Sequence, residues 1–361
     1  MAREHFGSRM GVVLAMAGGA VGLGNMWRFP YLVGKNGGAA FILVYLLFVV
    51  FLCLPILVSE YALGRRTQKN AFGAFKMLSK NKSWSLIGIF AVLAAVCVLS
   101  FYCVVGGWSV KYLVESCKFN MPILDSSYFT GFISSSFAPV IYTLIFLALT
   151  GSVLVLGIQK GIERFSKVMM LLLCLLIILI AIRSVTLPGA MEGMKYLFVP
   201  NLNALNGKAL LEALGQSFFS LSIGCGTVLT YASYVSKKEN IITTSFMVAA
   251  FDTLFALVAG IAIIPAVFAI AYMNGATPEI GAGPGLVFIT LPSVFNAMPM
   301  GNIVAILFFV TLLIAAITSA ISLMETFVTY EIEEWKLSRT KSVLLAFAIC
   351  SVLGIICSLS Q

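Results

Sequence analysis

The sequence predicts an all-α, polytopic membrane protein in which two of the spanning helices are interrupted. Three observations carry that prediction. Of the 361 residues, 60% are hydrophobic and only 10% charged, with mean hydropathy +1.04, more apolar side chain than a soluble domain hides from water. The apolar residues gather into runs of about 20 or more, the length that crosses a bilayer. Two of those runs carry clustered glycine at their middle, where a lipid-facing helix has most to lose.

Taken in order, the predicted spans are 8–32, 39–64, 84–115, 136–157, 162–186, 208–235, 241–273, 299–334 and 340–359. Several exceed the minimum, which implies tilt or extension into water. The first run has no small-residue cleavage site and continues as a full span, so no cleavable signal peptide is evident. Lysine and arginine give the orientation. The N-terminus, 65–82, 157–167, 236–240 and 335–341 carry most of the 23 basic residues, and 274–298 has none. The N-terminus is therefore expected in the cytoplasm, with Gln361 outside. The formal charge of +9 reads as an orientation signal, and a nucleic-acid partner is not expected.

The first interruption is Gly18–Pro30, GGAVGLGNMWRFP. Gly18, Gly19, Gly22 and Gly24 weaken the helix, and Asn25, Arg28 and Pro30 follow within the same span. Breaking a helix in hydrocarbon frees N–H and C=O groups that lipid cannot satisfy. A break at mid-membrane is best used to aim those groups at a polar guest, here a cation and a small zwitterion. The second interruption lies five spans later, in Ser217–Tyr234, SFFSLSIGCGTVLTYASY, where Ser220 and Ser222 precede Gly224 and Gly226. An odd repeat length inverts the second unit, so the pattern is that of a 5+5-type inverted-repeat transporter fold. The chain is one transmembrane domain on this reading, with a first repeat over 8–186 and an incomplete second over 208–361. The competing use of such glycines is close helix packing, which the small-xxx-small pairs Gly7/Gly11 and Gly18/Gly22 also fit.

Polar residues inside the spans narrow the reading, since each is costly unless paired or wetted. Glu60, Asp252 and Glu325 are the acids. Asp252 is 12 residues past Asn240, roughly 18 Å into its helix at 1.5 Å per residue, which suits a cation ligand or proton carrier; the alternative is an acid bonded to a neighbouring serine. Thr318, Ser319 and Ser322 lie in AAITSAIS. Such hydroxyls either bond back to the preceding turn or serve as hard oxygen ligands for a monovalent ion. Eight cysteines without a CxxC or Cys/His spacing and a single His5 exclude a metal enzyme, a histidine triad and a disulfide framework. Gly22-Leu23-Gly24 is no phosphate loop, having no Gly-Lys-Ser/Thr and no βαβ unit. No nucleophile–base pair is visible, so no catalytic residue is expected.

GGAVGLGNMWRFP, SFFSLSIGCG, TYASYV and AAITSAIS resemble the neurotransmitter:sodium symporter family and its bacterial leucine-transporter members, along essentially the whole chain. That family has about 12 helices, and this sequence corresponds to the first nine. The resemblance implies two sodium sites. One uses the carbonyls of Gly18, Val21 and Ala315 with the hydroxyls of Thr318 and Ser319. The other uses the Ala20 carbonyl, Asn25, Ser220, Asp252 and the substrate carboxylate. Ser220 and Asp252 stand where Thr and Asn are usual; the aspartate adds a charge that either tightens sodium or carries a proton. Chloride-dependent members place the anion near the residues matching Tyr45, Gln216, Ser220 and Ala256, and chloride-independent ones put a carboxylate at the last. Ala256 cannot serve, and Asp252 one turn earlier implies that chloride is not required.

The resemblance further implies an amino-acid substrate, because monoamine members carry Asp where this chain has Gly22. The carboxylate would meet sodium, the Leu23 and Gly24 N–H groups and the Tyr102 hydroxyl; the ammonium would meet carbonyls at Ala20, Phe219 and Ser222. Val98, Phe219, Ser222, Cys225 and Leu323 would form an apolar side-chain pocket, with Cys225 leaving room for a larger apolar or aromatic group. Arg3 with Glu333, aided by Ser233 and Tyr234, would gate the inner side, and Arg28 with Phe219 and Tyr102 the outer. Spans one, two, six and seven would move against three, four, eight and nine. The function implied is sodium-coupled symport of an apolar or aromatic amino acid in a prokaryotic plasma membrane. The alternative is a truncated membrane protein that binds sodium and amino acid without completing a cycle.

Overall fold

Helices punctuated by polar caps and glycines account for nearly all of the computed structural model, which describes residues 4–118, 126–278, 280–281, 283–297 and 300–360. Ser8, Asn70, Asn206 and Asn240 each accept a bond from a backbone N–H three residues on, opening the helices that follow them; such a cap contributes about 1 kcal/mol. The first span is α1 (Arg9–Ala20) and α2 (Gly24–Lys35), bent by 53° between them. Span two is α3 (Ala39–Thr67), followed by the short α4 (Ala71–Leu78). Span three is α5 (Ser85–Ser116). Then come α6 (Ser126–Ile133), span four as α7 (Ala138–Val155) and span five as α8 (Ile158–Val185).

The second half begins with α9 (Ala190–Phe198). Span six is α10 (Gly207–Ser220) and α11 (Thr227–Ala232), each half too short to cross a bilayer alone. Span seven is α12 (Ile241–Met273), followed by α13 (Leu286–Asn296). Spans eight and nine are α14 (Gly301–Glu334) and α15 (Arg339–Leu359). Among the described residues seven continuous helices are long and apolar enough to cross a membrane, and the bent pair makes an eighth. The expected spans are met within a few residues at most ends; α8 starts earlier, at Ile158, through a π-helical turn set off by Gly157 at φ 87°. The short helices α4, α6, α9 and α13 were not expected from the sequence, being too brief to leave a spanning signal.

Packing sorts the spans into two groups. Spans three, four, eight and nine pack on one another, while α3, α11 and α12 gather around the first span. Span five lies against both α1 and α12. The two interruptions face each other between these groups.

Candidate functional site

The first interruption is shorter than the glycine run that announces it. Gly18 and Gly19 stay helical; Val21 leaves the helix at φ −69°, ψ 108°, and winding resumes at Gly24. The glycines serve close approach instead. A Cβ on Gly18 would lie 3.2 Å from Met170 Sδ, and one on Gly22 would lie 2.3 Å from Ser319 Oγ and 2.6 Å from Tyr102 Oη. In span six the helix stops at Ser220, and the chain turns through positive φ at Ser222 (53°), Gly224 (86°) and Gly226 (71°) before α11. Such angles suit glycine; Ser222 is the exception. Glu60 Oε1 accepts from Gly224 N at 2.8 Å, giving one freed donor of the break a partner.

Two clusters of hard oxygen sit at the first break. Ser319 Oγ donates toward the carbonyls of Val21 at 3.1 Å and Gly18 at 3.4 Å, and Thr318 Oγ1 toward those of Ile314 and Ala315, both at 3.0 Å. The hydroxyl of Thr318 thus bonds back one turn while its neighbour spans two helices. In the second cluster the Asn25 amide donates to Asp252 Oδ1 at 2.8 Å and to Ser220 Oγ at 3.1 Å, and Ser220 Oγ donates to Asp252 Oδ2 at 2.7 Å. Asn25 Oδ1 accepts from Gly22 N at 3.0 Å. Asn25, Ser220 and Asp252 are all buried. Asp252 has both a serine partner and an amide partner, yet no basic side chain pairs with it among the described residues. Tyr45 is buried beside this cluster.

Between the breaks lies a cavity of about 260 Å³. It is lined by Ala20, Gly22, Gly24, Val98, Tyr102, Phe219, Ser220, Ser222, Cys225, Ser319 and Leu323, together with Gly19, Phe218 and Ile223, which the sequence reading does not assign to the substrate. Leu23 is the exception among the expected substrate residues: its N–H donates to Tyr102 Oη at 3.0 Å, and it lines a second, outer cavity of about 590 Å³. Val98, Tyr102 and Phe219 border both cavities. The Arg28 guanidinium lies 5.0 Å over the Phe219 ring and donates to Gln216 Oε1 at 2.8 Å, so a cation–π contact and a hydrogen bond hold the side chain above the inner cavity.

On the inner side Arg3 lies outside the described residues. Glu333 accepts from both the backbone and side-chain nitrogens of Asn70 at 2.9 Å, and Ser233 Oγ donates to the Thr230 carbonyl. Tyr234 takes part in a network that sequence reasoning missed. Its hydroxyl donates to Glu325 Oε1 at 2.7 Å, and Arg339 donates to Glu325 Oε2 at 2.8 Å and to the Leu154 carbonyl at 2.7 Å. Arg339 had counted only as an orientation charge. A buried acid at Glu325 was the signal, since it needs a cation. A second missed feature joins the starts of spans one and five. Glu163 accepts from Gly7 N at 2.6 Å and Ser8 Oγ at 2.8 Å, while Glu4 accepts from Ile158 N at 2.6 Å. Each helix start is met by a carboxylate from the other's segment.

Truncating Asn25 to alanine should loosen the second cluster, since its amide bridges Gly22, Ser220 and Asp252. Stability is expected to fall by about 1–3 kcal/mol, the cost of leaving buried hydrogen-bonding groups unmet. A lowered thermal unfolding midpoint against the unaltered protein reads this directly.

Comparison with known proteins places the architecture. The profile of the "Sodium:neurotransmitter symporter family" matches residues 3–136 and 132–361. The chain is 41% identical to an uncharacterised sodium-dependent transporter of Bacillus subtilis, YhdH, over 99% of this chain and 78% of the relative. It is 33% identical to another, MJ1319 of Methanocaldococcus jannaschii, over 98% of this chain and 75% of the relative. Among solved structures, the crystal structure of MhsT in complex with L-phenylalanine superposes with TM-score 0.90 at 42% identity, covering 99% of this chain and 81% of that one.

Proposed function

Since the chain belongs to the sodium:neurotransmitter symporter family, and is a sodium-coupled symporter rather than an enzyme, we propose that it carries an apolar or aromatic amino acid inward on two sodium ions. One observation supports this most: Asp252, buried at the level of both breaks, has its charge met only by the dipoles of Asn25 and Ser220 among the described residues. A carboxylate so placed favours a cation beside it. The first sodium would sit among Ala20, Asn25, Ser220, Asp252 and the substrate carboxylate, the second among Gly18, Val21, Ala315, Thr318 and Ser319. The substrate's apolar side chain would lie against Val98, Phe219, Ile223, Cys225 and Leu323. MhsT holds L-phenylalanine in its crystal structure, which supports testing that amino acid first.

Differential affinity drives the cycle. Loaded with sodium and substrate, the site gains contacts from both groups of spans, so closure around it is favoured. Arg28 and Phe219 would close the outer route; Arg3, Ser233, Tyr234 and Glu333 would close the inner one. The N-terminus is assigned to the cytoplasm of a prokaryotic cell, and the membrane to the plasma membrane.

Proteoliposomes test the proposal. With an inward sodium gradient, labelled L-phenylalanine should accumulate above its outside concentration, and potassium in place of sodium should abolish the accumulation. Sodium-dependent binding without accumulation would instead mark a protein that binds but does not cycle. Replacing chloride by gluconate should leave uptake unchanged in the wild type, because Asp252 supplies the negative charge itself. Loss of uptake in gluconate would contradict that role for Asp252.

A further inference from the structure

The cytoplasmic link between spans two and three carries basic side chains and exposed apolar ones together. Arg65, Arg66, Lys69, Lys76, Lys80 and Lys82 occur with no Asp or Glu before Glu115. Arg65 is taken up by the Glu239 carbonyl. Lys76 and Lys80 are exposed, with no acidic partner among the described residues. Lys76 lies 5.4 Å from the centre of the Phe72 ring, on the last turn of α4.

Next to these cations, Met77 is 64% and Trp84 54% exposed, values unsuited to a surface that meets only water. The exposed apolar side chains continue without a gap into span three through Leu86, Ile87, Phe90 and Leu93, at the spacing of one helix face. Among the described residues no side chain covers that strip of α5, and Met77 and Trp84 stand at its cytoplasmic foot. Tryptophan belongs at the headgroup level of a bilayer. The lysines therefore lie where the phosphates of the inner leaflet are.

We propose that the foot formed by the end of α4 and the start of α5 is a binding site for an anionic phospholipid, its headgroup phosphate held by Lys76 and Lys80 and its acyl chains along the exposed face of α5. Charge complementarity selects the lipid: the segment offers cations of one sign only, so a zwitterionic headgroup gains nothing that its own ammonium does not oppose. The site also adjoins the proposed inner gate. Asn70, the N-cap of α4, donates to Glu333, and Phe72 packs edge-on against Tyr330 of α14 at 6.0 Å.

Purified full-length protein, equilibrated with vesicles of equimolar phosphatidylglycerol and phosphatidylcholine and then repurified, gives the test by mass spectrometry of retained lipid. Wild type should retain phosphatidylglycerol over phosphatidylcholine by at least about fivefold, the factor one interfacial basic side chain supplies. The K76Q/K80Q/K82Q variant should lose that preference, and K237Q/K238Q, which removes two exposed cations elsewhere on the cytoplasmic face, should keep it. Equal preference in the wild type and the triple variant, or equal loss in the control, overturns the assignment. Raising ionic strength from about 0.1 to about 0.5 M should also weaken the wild-type preference. Should the triple variant fail to fold, that reading decides: a preference indifferent to salt overturns the proposal.

Discussion

Replacing Gly22 with valine should weaken amino-acid binding by about a hundredfold or more while leaving a folded protein. A Cβ at this position would stand 2.3 Å from Ser319 Oγ and 2.6 Å from Tyr102 Oη, far inside contact distance. Neither neighbour is a long flexible chain whose end can swing away. Ser319 is fixed by its bond to the Val21 carbonyl and Tyr102 by its bond from Leu23 N–H. Over-packing of this kind costs about 1–3 kcal/mol, and here it falls on residues proposed to hold both sodium and the substrate carboxylate. Affinity for L-phenylalanine should drop by about a hundredfold or more with valine and by about tenfold with alanine. Equilibrium binding at saturating sodium measures both, and a melting curve close to wild type separates a filled site from a lost fold.

The second large effect is expected at the inner network. Glu325 is fully buried and Arg339 partly so, with 16% of its side chain exposed, and the pair is joined by a hydrogen bond of 2.8 Å. Removing one partner of a fully buried pair costs about 3–5 kcal/mol; here Arg339 keeps the Leu154 carbonyl and lies 3.9 Å from Glu4 Oε2, so losing Glu325 costs less, about 1–3 kcal/mol. Glu325→Ala should therefore destabilise the inner network by about tenfold or more. Tyr234 loses one of its hydroxyl partners in the same change while keeping Thr329 Oγ1 at 2.6 Å, and its carbonyl also accepts the Phe6 N–H at 3.1 Å. Amide hydrogen exchange in Phe6–Val12 should accelerate, and sodium-driven uptake should fall at least tenfold. The E325A/R339A double variant removes both charges and should recover part of the protection. Recovery distinguishes an unmet charge from lost packing, which the double variant would only worsen.

The parts of the site legible in the sequence are those that violate the rules of a hydrocarbon environment. Glycines beside Asn25, serines beside Gly224 and Gly226, and a lone Asp252 are anomalies within a single apolar run, and each lies at a break or is hydrogen-bonded to residues there. The extent of the first break was not legible, because a glycine that lets two helices touch looks the same as one that lets a helix open. Gly18 and Gly19 are of the first kind; the opening is confined to Val21–Leu23. The pairing of Glu325 with Arg339, and of Glu163 and Glu4 with each other's helix starts, depends on which spans become neighbours. No periodicity within one helix encodes that. The short helices α4, α6, α9 and α13 escaped notice because an amphipathic turn or two leaves no run of bilayer length.

Sodium and amino acid, if held jointly by the two breaks, must raise each other's affinity by the same factor. The most direct measurement is binding of radioactive sodium to the purified protein with and without saturating L-phenylalanine, alongside phenylalanine binding with and without saturating sodium. A common enhancement in both directions, absent in Gly22→Val, is the predicted result. Sodium binding that ignores the amino acid, together with amino-acid binding that ignores sodium, would contradict a shared site between the broken helices.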